Sequence, residues 1–104
     1  TLPVFISEGG WTSASIITTD YTITSSPDAQ NEYIKHHAHL LEEVKAIAVF
    51  QLLFTDLDVA NLPPDVPDNI NYFASLGLVD INFQPKLALT AWDDLFKNHA
   101  RISK

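Results

Sequence analysis

The residues best suited to chemistry lie together near the start of the chain, in Ser7-Glu8-Gly9-Gly10-Trp11. Glu8 follows the apolar run Pro3-Val4-Phe5-Ile6, so its carboxylate falls at the C-terminal end of an expected strand. Catalytic groups of parallel α/β barrels sit at such strand ends. The two glycines allow a sharp turn and a close approach by a ligand. Trp11 offers a flat apolar face for a sugar ring. The plainer reading is a strand-end glutamate meeting solvent, with Trp11 packed in a loop.

Two further groups carry chemistry-bearing side chains. His36 and His39 are three residues apart on an expected helix, with Glu32 and Glu43 a turn to either side. Such spacing suits a metal ion. Against this, His37 lies on the apolar stripe and its neighbours on the solvated side, so no metal or other cofactor is expected. Asp56 and Asp58 follow a second apolar run, and Asp20 lies in the first loop. Asp56 at a strand end is a candidate ligand for a sugar hydroxyl, although turn and capping chemistry explains such aspartates equally simply. With three glycines and no cysteine, the chain has neither a glycine-rich phosphate loop nor a thiol nucleophile. No serine lies in a Gly-x-Ser-x-Gly turn.

The elements that must position these groups follow from apolar spacing. Residues 3–7 and 46–54 are apolar on both faces, the pattern of strands buried on two sides in a parallel sheet. Residues 11–25 have no helical period and form a long loop, with a possible short strand at 15–18. Ser26, Pro27 and Asp28 make a helix start by capping, fixed φ and charge complementarity. Tyr33, His37, Leu40, Leu41 and Val44 then form an apolar stripe, and the helix is expected to end at Val44 or Lys45. The three prolines within 61–67 exclude regular structure. Asp68 is expected to begin a short helix ended by Gly77. Residues 78–81 are extended, and Pro85 opens a last helix with Ala88, Ala91, Trp92, Leu95 and Phe96 on one stripe. Strand, helix, strand form a βαβ unit, so the expected class is α/β, with residues 1–104 as one domain.

Bulk properties narrow the partners. The chain is 46% hydrophobic and 18% charged, which marks it as globular. Its net charge of −7 and lack of any Lys/Arg cluster exclude nucleic acid and anionic membrane surfaces as partners. The longest apolar stretch, 46–54, is far below the roughly 20 residues that span a bilayer. No signal peptide is visible.

Pro3 to Trp11 resembles the seventh-strand segment of the clan of retaining (β/α)₈-barrel glycoside hydrolases that includes cellulase-, mannanase-, β-glucanase- and galactanase-like enzymes. The resemblance continues through Phe73-Ala-Ser-Leu-Gly-Leu-Val-Asp80 and Gln84-Pro-Lys-Leu-Ala88 to Ala91-Trp92, a passage like the one before the final barrel helix. It implies a partial (β/α)₈ barrel of about two βα units, since the whole fold takes about 250 residues. It implies that Glu8 is the nucleophile, that the acid/base lies on a fourth strand outside these residues, and that the substrate is an oligo- or polysaccharide. The remaining barrel, or another copy of the chain, would then cover the sheet, and the location leans to extracellular. Two departures stand out. Gln51 occupies the place where the clan presents a tryptophan near the end of strand eight; it can bind hydroxyls but cannot stack. Asn82-Phe83 replaces the usual Asn/Asp-Gly turn, and phenylalanine is unfavourable at positive φ, so a different turn type is expected there. Two other readings remain open: a non-catalytic carbohydrate-binding or pseudoenzyme relic, and a small α/β interaction domain.

Overall fold

In the computed structural model, which describes residues 2–97, two helices pack against one face of a short parallel strand pair. The order is β1 (Phe5–Ile6), β2 (Ile16–Ile17), β3 (Thr22–Ile23), α1 (Pro27–Glu43), β4 (Ala48–Val49) and α2 (Leu87–Lys97), with 3₁₀ turns at Val59–Asn61 and Asp68–Phe73. The class is mixed α/β. β1 and β4 pair in parallel, with Phe5 opposite Ala48 and Ile6 opposite Val49. Flanking backbone bonds extend the pairing: Ile47 N–H donates to Val4 O at 2.8 Å and Leu52 N–H to Gly9 O at 2.8 Å. The expected βαβ order is thus present, with regular strands shorter than the apolar runs.

α1 begins as its sequence dictates. The Ser26 side chain accepts from Ala29 N–H, Pro27 occupies the first turn, and Asp28 complements the positive end. The buried face differs from the expected stripe. Gln30, Ile34 and Leu41 are buried, whereas Leu40 and Val44 are about half exposed. The core consists of Ile34, Leu78 and Ala88, with Tyr33, Leu89, Ala91 and Trp92 packed on it. Leu78 and Val79 come from the expected extended piece, where Val79 bridges Thr55 in parallel and Pro85 antiparallel.

The helices leave the opposite face of β1 and β4 uncovered. Phe5 is 58% exposed, Phe50 and Phe54 are each 56% exposed, and Leu52 is 37% exposed. Burial on both faces, expected from the apolar runs, is therefore absent among the described residues. The strand pattern specifies two covered faces, and the two helices supply one.

The possible short strand at 15–18 is present and is one arm of a hairpin, with Ile16 opposite Ile23 and Ile17 opposite Thr22. Other local expectations are corrected. The expected short helix from Asp68 is a 3₁₀ turn ending at Phe73. Phe83 does adopt positive φ, at 61°. Its turn is held by the Asp80 carboxylate, which accepts from the N–H groups of Asn82 and Gln84 at 2.8 and 3.0 Å. Gly77 is required by close crossing of chains, since a Cβ there would overlap the backbone of Thr55 and Asp56. No helix among the described residues is long and apolar enough to cross a membrane.

α1 ends in a paired-bond cap. Lys45 N–H donates to Glu42 O at 3.1 Å and Ala46 N–H to Leu41 O at 2.9 Å, while Lys45 takes φ of 52°. This position ordinarily belongs to glycine, because a Cβ is penalised in the left-handed region. Replacing Lys45 with glycine is expected to stabilise the fold by about 0.5–1 kcal/mol. Equilibrium urea unfolding checks this; an unchanged or lower midpoint would contradict the cap assignment.

Candidate functional site

β1 delivers Glu8 two residues beyond its last paired residue, into a turn that opens on a cleft of about 440 Å³. Clefts of roughly 300–1,000 Å³ hold small-molecule ligands. Glu8, Trp11, Tyr21, Tyr72 and Phe73 all line it. Ile16 and Ile23 of the hairpin, with Leu52 and Leu76, supply apolar lining. Glu8 is exposed and is the only charged residue of the lining among the described residues.

The geometry fixes each wall. Trp11 stacks on Tyr33 of α1 with centroids 5.8 Å apart and an interplanar angle of 22°, and remains 38% exposed. Its carbonyl accepts from Gln30 Nε2 at 3.0 Å. Gly10 has φ of 155°, and a Cβ on it would stand 3.2 Å from Gln51 Nε2. The turn therefore lies directly against the Gln51 amide. The rings of Tyr21 and Tyr72 are 6.4 Å apart. A hydrogen bond with Tyr21 raises the Tyr72 phenol above its ordinary pKa, with smaller contributions from the charge of Tyr21, from burial and from Asp20.

The four residues singled out from sequence divide into two pairs. Glu8 and Trp11 share the cleft wall. Gln51 turns its amide to Leu76 O, donating at 2.9 Å, and lies behind Gly10. The Asp56 carboxylate accepts from Gly77 N–H at 2.9 Å and pairs with Lys86. The Lys86 and Asp56 side chains are only 11% and 15% exposed. Lys86 also donates to Ser13 Oγ at 2.9 Å, so this pair ties the loop after Glu8 to the segment leading into α2. Asp58 accepts from Asn61 Nδ2 at 2.7 Å in a turn. His36 and His39 are exposed, and no group of three or more His, Cys, Asp or Glu among the described residues could hold a metal ion.

Sequence reasoning missed Tyr21, Tyr72 and Phe73, because loop aromatics have no period that shows which way they face. It quoted Lys86 only within a resembling passage, with no partner to give it a role. The sequence matches no family model and no curated protein.

Behind the turn, His37 lies 5.5 Å from the Tyr33 ring and beside Gly9. Burial lowers its pKa below the ordinary 6.5. The unfolded chain then binds a proton that the folded chain resists. His37 thus costs no stability well above the unfolded pKa, and stability is lost as pH falls through it toward the lower folded value. Denaturant midpoints are expected to drop between pH 8 and pH 6, and to drop less in His37→Gln. Equal drops in the two proteins would remove His37 as the cause.

Proposed function

We propose that the chain is the nucleophile-bearing C-terminal part of a retaining glycoside hydrolase with a (β/α)₈ barrel. The observation that carries this reading is the position of Glu8, just beyond a strand that pairs in parallel with its neighbour and at the mouth of an aromatic-walled cleft. The resemblance of residues 3–11 and 73–92 to the clan supports it, and so do the uncovered faces of Phe5, Phe50 and Phe54, which further barrel strands would bury.

The chemistry follows from carboxylate roles. Retention needs two carboxyl groups roughly 5 Å apart. Glu8 attacks the anomeric carbon, while an acid from the barrel's fourth strand protonates the departing oxygen. The same group then deprotonates water, which displaces Glu8 and releases the sugar. Trp11 supports the sugar ring. Gln51 and Asp56 contribute by holding the Gly10 turn and the strand-end segment, through the contacts described above.

The test uses the complete reading frame that contains residues 1–104. Aryl glycoside hydrolysis with retention is expected, and Glu8→Gln is expected to lower kcat by about 10³-fold or more. Undiminished turnover in Glu8→Gln, inversion of configuration, or a frame lacking the second carboxyl would overturn the proposal.

The 104 residues alone are expected to have negligible glycosidase activity and to self-associate. Their exposed sheet face and unpaired strand edges favour association. Sedimentation velocity across a concentration series checks this; a compact monomer with Glu8-dependent hydrolysis would show that the chain is sufficient by itself.

A further inference from the structure

We infer that the Tyr21–Tyr72 pair is a second binding platform, which takes a pyranose unit of a neutral oligosaccharide beyond the one held at Glu8 and Trp11. The inference rests on the glycosidase reading and adds the substrate's charge class and the residues that hold its next unit.

Two separate elements bring aromatic rings to the cleft that Glu8 and Trp11 line. The turn of the β2–β3 hairpin brings Tyr21, and the 3₁₀ turn Asp68–Phe73 brings Tyr72 and Phe73. The three residues remain exposed: Tyr21 49%, Tyr72 37% and Phe73 39%. Exposed aromatic residues that share a concavity with Trp11 suit a flat ligand with apolar faces. The C–H faces of a pyranose have that character.

Polar groups in the cleft select among flat ligands. The Tyr21 and Tyr72 rings lie 6.4 Å apart, and their phenols carry protons and lone pairs that can meet ligand hydroxyls. A purely apolar ligand would leave both phenols and Glu8 without partners. An anionic ligand would meet the Glu8 carboxylate, with no cation among the described lining residues to offset it and a chain of net charge −7 around it. A neutral polyhydroxyl ring satisfies each surface.

The mutual arrangement of the walls is fixed from below. Leu57 N–H donates to Ala74 O at 2.9 Å, Ser13 N–H donates to Ser75 O at 2.9 Å, and Gln51 donates to Leu76 O at 2.9 Å. The segment following Tyr72 and Phe73 is therefore bonded to the loop that follows Glu8.

The experiment uses the complete protein carrying Glu8→Gln, so that bound sugar is not consumed. Calorimetric titration with neutral gluco-, manno- and galacto-oligosaccharides of two to five units is expected to show binding to at least one series. Tyr21→Ala and Tyr72→Ala are expected to weaken that binding by about fivefold or more, and Tyr21→Phe and Tyr72→Phe by about twofold to fivefold. The phenylalanine variants keep the rings and so control for folding, which circular dichroism also monitors. Uronic or sulfated oligosaccharides are expected to bind more weakly than the neutral ones. Unchanged affinity in all four tyrosine variants, or preference for the acidic sugars, would overturn the inference while leaving a Glu8-dependent hydrolase standing. Absence of binding to every sugar, together with turnover that ignores Glu8→Gln, would overturn both.

Discussion

One buried side-chain amide joins the parts of this fold that the helices alone would not hold together. Gln30 is 1% exposed, and its Nε2 donates to the carbonyls of Trp11, Leu76 and Gly77 at 3.0, 3.3 and 3.0 Å. Those carbonyls belong to the loop after β1 and to the segment before α2, which are more than sixty residues apart in sequence. Buried carbonyls without donors cost about 1–3 kcal/mol each; removing this amide would take its bond from the Trp11 and Gly77 carbonyls, while the Leu76 carbonyl would keep its bond from Gln51. Through it, the placement of Trp11 depends on a residue in the first turn of α1.

The same logic recurs around the cleft with different donors. Gln51 bonds to the Leu76 carbonyl and fills the space that a Cβ on Gly10 would need. Lys86, in its pair with Asp56 and its bond to Ser13, binds the strand-end segment to the first loop. Breaking one partner of a largely buried pair leaves an uncompensated charge, which costs more than the pair contributes. Short strands of two residues have little cohesion of their own. The cleft is therefore shaped by side-chain bonds to backbone carbonyls more than by sheet ladders. Asp56 and Gln51, candidate sugar ligands from their place in and after an apolar run, make their bonds to this framework through one carboxylate oxygen and the amide nitrogen.

Local chemistry was legible where the cause is local. Ser26, Pro27 and Asp28 set the start of α1, and Ala88 and Leu95 of the expected α2 stripe are buried, while Phe96 on the same stripe is exposed. The parallel pairing of the two apolar runs follows from the helix between them. Glu8 was legible because a carboxylate, two glycines and a tryptophan after an apolar run have few structural uses together. The buried face of α1 was misread: it turns on Gln30, a polar residue that an apolar stripe passes over. Its burial makes sense only once three distant carbonyls are seen to meet it. Phe83 was expected to avoid positive φ, but the Asp80 carboxylate collects the N–H groups of Asn82 and Gln84 and holds the turn regardless of the residue between them.

The amino-acid sequence by itself determined the β1–α1–β4 order, the start of α1, the net negative charge, and the placement of Glu8 at a strand end. Each of these depends on neighbours a few residues away or on composition. Only the tertiary structure decided which faces of the strands are covered, and which aromatics share a cleft with Glu8. It also showed the bonds of Gln51 to Leu76 O and of Asp56 to Gly77 N–H and Lys86. Tyr21 and Tyr72 are fifty-one residues apart in the chain and meet because the hairpin and the 3₁₀ turn are anchored to one loop. Such meetings carry no periodic signal, since they are set by bonds such as Ser13 N–H to Ser75 O that join distant segments.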